Sequence, residues 1–77
     1  MRKPSTKITQ TLSGNIKFLR GNMNLSQEEL AYKCGLHRTY VGAVERGERN
    51  VTLSSLELIA SALNVDVPTL LSNLSGQ

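Results

Sequence analysis

The strongest constraint on this chain lies in one stretch, SQEELAYKCGLHRTYVGAVERGER, at residues 26–49. Ser26 followed three residues later by Glu29 is a capping box, in which each side chain satisfies an amide that a helix start leaves unpaired. The spacing predicts a helix over 27–34 with Leu30, Ala31 and Cys34 on one face, ended by Gly35, which adopts the left-handed conformation at no steric cost. Leu36 packs behind that turn, and a second helix follows over 38–45. Its Val41 and Val44 face the same interior, which leaves Arg38, Thr39, Tyr40, Gly42, Ala43 and Arg46 on its flanks and outer surface. Two short helices joined by a glycine turn, the second one polar outside, make a helix-turn-helix, a unit that seats one helix in the major groove of DNA.

The remainder reads as support for this pair. Leu12, Ile16, Leu19 and Met23 recur at helical spacing, so a first helix runs from about Thr9 toward Met23. Gly14 and Gly21 each cost it about 1 kcal/mol relative to alanine if interior. Asn22 and Asn24 suit the exit turn, and Leu25 stands where a hydrophobic staple would. Thr52 caps a fourth helix, in which Leu53, Leu56, Ile59, Ala60 and Leu63 keep the interval and Asn64 supplies a left-handed stop. Asp66 caps a short fifth helix, with Pro68 in its first turn and Val67, Leu70, Leu71 and Leu74 as its apolar face. No segment alternates at period two. The expected fold is all-α with five helices: a domain over 8–74, a flexible basic arm over 1–7 and a tail over 75–77.

Composition narrows the function. Seventy-seven residues make one small domain with room for a single core. The lone cysteine and lone histidine support neither a disulfide nor a metal site, and Cys34 reads as a small core residue. No acid, base and nucleophile converge, so no enzyme and no cofactor is expected. The longest apolar run is a few residues and the N-terminus has no apolar leader, which points to the cytoplasm and away from membranes. Net charge is +3, but its distribution is more telling. All nine lysines and arginines lie in residues 1–52, whereas 53–77 hold only Glu57 and Asp66 as charged residues. One end of the molecule attracts phosphate and the other does not.

Position assigns each residue a role. Arg38 and Thr39, in the first turn of the outward helix, are the base readers: arginine donates twice to guanine O6 and N7, and threonine offers a hydroxyl and a methyl suited to thymine. Gln27, at a helix N-terminus where free amides favour an anion, is a phosphate contact. Tyr40 sits on the flank, either toward the backbone or against the core. Gly42 invites close approach of DNA, and Ala43 lies beside it. Arg46, Arg49 and Asn50 are placed for the flanking backbone or outer bases. His37 either caps the outward helix or meets a phosphate.

The stretch HRTYVGAVERGERN at 37–50, together with Gln27, Leu30, Ala31, Gly35, Leu36 and the IASALNV segment at 59–65, resembles the lambda-repressor-like, Cro/repressor-type helix-turn-helix regulators. Within that group it is most similar to the controller proteins of restriction-modification systems. The resemblance covers about residues 12–74 and implies an all-helical homodimer on paired pseudo-palindromic operator sites. It also implies an ion pair between Arg20 and Glu45, the latter turned toward the core. Controllers commonly carry Ser-Gly where this chain has Gly42-Ala43, so one base contact is expected to differ. The dimer surface is expected to comprise Val51, Leu53, Val67, Leu70, Leu71 and Leu74. Expected partners are double-stranded operator DNA and a second copy of the chain, with two dimers on adjacent sites and RNA polymerase as further candidates. A phage, plasmid or antitoxin-type repressor is the nearest alternative, and a protein-interaction adaptor without DNA the more distant one.

Overall fold

The computed structural model describes residues 5–48 and 51–74, which form five helices: α1 (Thr6–Asn22), α2 (Gln27–Cys34), α3 (Arg38–Glu45), α4 (Leu53–Ala62) and α5 (Val67–Leu70). Among the described residues no strand forms. Each helix opens on a side-chain cap. The capping box is complete, with the Glu29 amide donating to Ser26 Oγ at 3.0 Å and the Ser26 amide to Glu29 Oε1 at 2.8 Å. Thr52 accepts from the Ser55 amide at 3.1 Å and Asp66 from that of Thr69 at 2.9 Å. His37 caps α3, its Nδ1 accepting from the Thr39 amide at 3.1 Å. Left-handed residues close the turns: Asn24, Gly35, Gly47 and Asn64 all have positive φ.

Two boundaries differ from the sequence reading. The first helix begins at Thr6, because Ser5 Oγ accepts from the Ile8 amide at 3.2 Å; Thr6 and Lys7 therefore belong to α1 and not to an arm. Residues 1–4 lie outside the described part. The fifth helix is a single turn of four residues ending at Leu70.

A short α3 is wedged against both α1 and α2, while α4 packs on α2 and carries α5 back to α1. Ile16, Leu30, Val41, Ile59 and Leu70 are at most 1% exposed and form the centre of the core. Leu70 is thus a core residue rather than part of the expected dimer surface. Asn15 explains how it is held: buried on α1, its Nδ2 donates to the Leu70 carbonyl at 2.8 Å and also to that of Ser72. An amide buried without partners would cost stability, and these two carbonyls of a helix end need donors. Sequence spacing cannot show such a bond.

The Arg20 and Glu45 side chains join α1 to α3. Arg20 Nε and Nη2 donate to the two carboxylate oxygens at 2.6 and 2.9 Å, and Nη1 reaches the Leu25 carbonyl at 2.9 Å. Glu45 is only 1% exposed. Its hydrogen bonds hold the Arg20 guanidinium protonated, with a pKa above the ordinary arginine value.

Removing Arg20 strands a buried carboxylate. Arg20→Ala is expected to lower the unfolding free energy by about 3 kcal/mol in a denaturant titration, the cost of breaking a buried pair from one side. Acid stability follows from the caps. Hydrogen bonds from the Ser26 amide and hydroxyl depress the Glu29 pKa, and those from Thr69 depress that of Asp66. Their contribution is complete above the unfolded carboxylate range, near pH ~4, and disappears as pH falls through the lower folded values. Asp66→Asn should therefore flatten the acid limb of a melting-temperature profile while leaving its neutral limb parallel to the parent's.

Candidate nucleic-acid interface

The position of α3 fixes what it can present. Because α1 and α2 both pack on it, all of Val41–Glu45 is buried, and only its first turn and its C-terminal end project. Arg38 and Thr39 are exposed there, as is Arg46 at the C-cap. These three side chains were placed on the outer surface by the sequence, and the structure sets them together with Gln27 and Gly42 around one polar hollow of about 250 Å³. Tyr40 is half-buried, with its ring packed against the core.

Three expected roles change. Ala43 is 7% exposed rather than on the outer surface, because α3 has packed neighbours on two sides and a correspondingly narrow outer face. Gly42 is also buried, though by side chains rather than by an approaching molecule: a Cβ built on it would stand 3.3 Å from both Arg46 Nη1 and Gln27 Oε1. Gln27 is committed to the interior at one end, since its Nε2 donates to Glu45 Oε1 at 3.0 Å. An ionised carboxylate only accepts, so that bond sets the amide with nitrogen inward and oxygen toward Gly42. Arg49 and Asn50 lie outside the described residues.

Arg46 has a partner of its own, its Nε standing 3.0 Å from Glu48 Oε2 with both side chains more than half exposed. The pair raises the pKa of Arg46 and lowers that of Glu48. Such a surface pair is individually weak and can be exchanged for another anion. A second polar hollow of about 240 Å³ adjoins on the far side of Arg46, lined by Thr6, Thr9, Gln10, Ser13 and Gly47. The sequence reading missed this polar edge of α1. Its signal was the Ser5 cap, which extends the helix and brings Thr6 and Gln10 into line with Arg46.

On another part of the surface Leu53 is 77% exposed, and Ile8 and Leu58 are also open to solvent. Val51 and Leu71 line a neighbouring apolar hollow of about 170 Å³ with Ile8, Leu12 and Leu56. Val67 and Leu74 are half-buried. Of the expected dimer residues, then, Leu53 is the fully open one and Val51 and Leu71 border an apolar opening. Among the described residues no group of His, Cys, Asp and Glu is arranged to hold a metal, and no helix is long and apolar enough to cross a membrane.

Comparison with known proteins agrees with this geometry. The helix-turn-helix family profile matches residues 16–70. Control protein C.SmaI of Serratia marcescens is 57% identical over 65 residues, covering 84% of this chain and 77% of that protein. The crystal structure of the hypothetical transcription factor NHTF from Neisseria superposes with a TM-score of 0.85 at 42% identity, over 99% of this chain and 88% of that one. The restriction-modification controller protein C.Esp1396I, solved as a tetramer in complex with its natural 35 base-pair operator, gives a TM-score of 0.78 at 39% identity, over 86% of this chain and 87% of that one. A capped helix pair, an outward first turn carrying Arg38 and Thr39, and this degree of likeness along most of the chain lead to one assignment: the protein belongs to the helix-turn-helix family, among the controller proteins of restriction-modification systems.

Proposed function

We propose that the protein is a sequence-specific DNA-binding regulator of transcription that controls a restriction-modification operon and acts as a homodimer on a pseudo-palindromic operator. The observation that carries this reading is the convergence of Arg38, Thr39 and Arg46 on one open polar hollow at the projecting end of α3. A cation able to make two parallel hydrogen bonds, beside a hydroxyl and a methyl group, matches the chemistry of base edges in the major groove. The operator complex of the C.Esp1396I tetramer supports carrying the same use over to this chain. A dimer would present two copies of α3 about one helical turn of DNA apart, ~34 Å, which is why the operator should be nearly palindromic. The second copy docks through the apolar surface around Leu53, which none of the described residues covers. At a promoter such a dimer, or two on adjacent sites, acts on RNA polymerase. An adaptor without DNA would have no use for the exposed guanidinium groups of Arg38 and Arg46.

Footprinting on the DNA upstream of the gene tests the assignment directly. Arg38→Ala should cost about 1–3 kcal/mol on the protected site and relax the preference at one base pair, with little change on random duplex. Uniform weakening on both DNAs would make Arg38 a phosphate contact instead. For assembly, sedimentation at micromolar concentration should give a dimer, and Leu53→Glu should shift it to a folded monomer whose melting temperature, unlike the parent's, does not rise with protein concentration. Finding only monomer for the parent chain would remove the dimer from the proposal.

A further inference from the structure

Gly42 occupies the middle of an eight-residue helix, where glycine is a poor helix former, and it is covered rather than open. What covers it is the far end of two polar side chains. Arg46, one turn later, lays Nη1 over the bare backbone, and Gln27 brings Oε1 to the same spot from α2. Both are set from behind. Glu48 engages Arg46 at Nε, and the buried Glu45 engages Gln27 at Nε2.

We propose that Gly42 is a specificity-determining position because its missing side chain is the seat of Arg46, whose guanidinium is thereby aimed to read a guanine rather than left to swing among phosphates. A phosphate contact needs only a positive charge on a flexible stem. A bidentate contact to guanine O6 and N7 needs the guanidinium plane fixed. The exposed Glu48 pair is a weak anchor at Nε, so it is the seat of Nη1 on Gly42 that sets the plane; the edge formed by Nη1 and Nη2 then carries the two parallel donors that such a contact uses, and it borders the same hollow as Arg38 and Thr39. A methyl group at position 42 would force both Arg46 Nη1 and Gln27 Oε1 to give way by a few tenths of an ångström. These are ends of flexible side chains, so the fold tolerates the change while the aim of Arg46 does not. Ordering the side chain before DNA arrives removes part of the entropy cost of binding.

This inference rests on the DNA-binding reading, and the experiment separates the two. Sequences are selected from a pool of randomised duplex by the parent chain and by Gly42→Ala, Arg46→Lys and the double variant. The parent should enrich a site containing a guanine that Gly42→Ala and Arg46→Lys both cease to select, each losing about tenfold on that site, a loss within the usual range for touching residues. The double variant should lose no more than either single one, and Gly42→Ala should melt no lower than the parent. Selection of the parent's site by both variants, or independent losses that multiply in the double variant, would overturn the proposal. If the parent selects no sequence at all, the DNA reading itself fails, and the seat is then judged without DNA. In that case the Arg46 Nε–H resonance should be sharp and slowly exchanging in the parent and averaged in Gly42→Ala, and identical behaviour in the two would sink it.

Discussion

A single buried carboxylate organises the working half of this molecule. Taking Glu45 out of water costs several kcal/mol unless its oxygens are fully engaged, and here three donors engage them: two from Arg20 and one from Gln27. Each donor comes from a different element than the acceptor, so α1, α2 and α3 are brought to one geometry by one group. Arg20 also bonds the Leu25 carbonyl in the turn before α2, which ties the entry of the helix pair to the same point. The aliphatic contacts of Leu30, Val41 and Ile59 supply most of the burial, but they are non-directional. The carboxylate supplies direction.

That direction accounts for the division of the α3 surface. Its buried side is crowded by two neighbours, and the side chains left outside are those that hydrogen-bond rather than pack. Gln27 shows how closely the support lies to the surface, since its amide satisfies Glu45 with its nitrogen and lays its oxygen over Gly42, where Arg46 Nη1 also lies. A change in the supporting pair would therefore be felt at the surface without any atom of the surface being altered. The C-terminal part of the chain is poor in charge and leaves Leu53 open to solvent.

Much of this was legible in the residues. Capping boxes and left-handed stops are local: a Ser26 three residues before Glu29, or a Gly35 after Cys34, acts through bonds within one turn of chain, and helix boundaries followed from them. Apolar spacing likewise identified the inner faces of α1 to α4 through Leu12, Ile16, Leu30, Val41, Leu56 and Ile59, although Leu53, read on the same stripe, is 77% exposed. Reading failed where a single local signal was outweighed or unseen. Ser5 caps α1 although only Met1 and Pro4 precede Ile8 as apolar residues, and the rich apolar face of the last turn turned out to place Leu70 in the core, because Asn15 draws that turn inward through two carbonyls.

The sequence by itself determined that the chain is helical, where most of its helices start and stop, and that Arg38, Thr39 and Arg46 would lie outside, since those properties depend on hydrogen bonds and periodicity within about one turn. Only the tertiary structure decided which polar residues work together. Ala43 fell inside because α1 and α2 converge on α3, and Gln27 came to bond Glu45 and to cover Gly42 together with Arg46 because three helices meet there. The Arg20–Glu45 pair, 25 positions apart, was expected through the family resemblance alone and is formed, whereas the Gln27–Glu45 bond, 18 apart, was not foreseen; both are set by how faces pack against one another, which no spacing along the chain encodes.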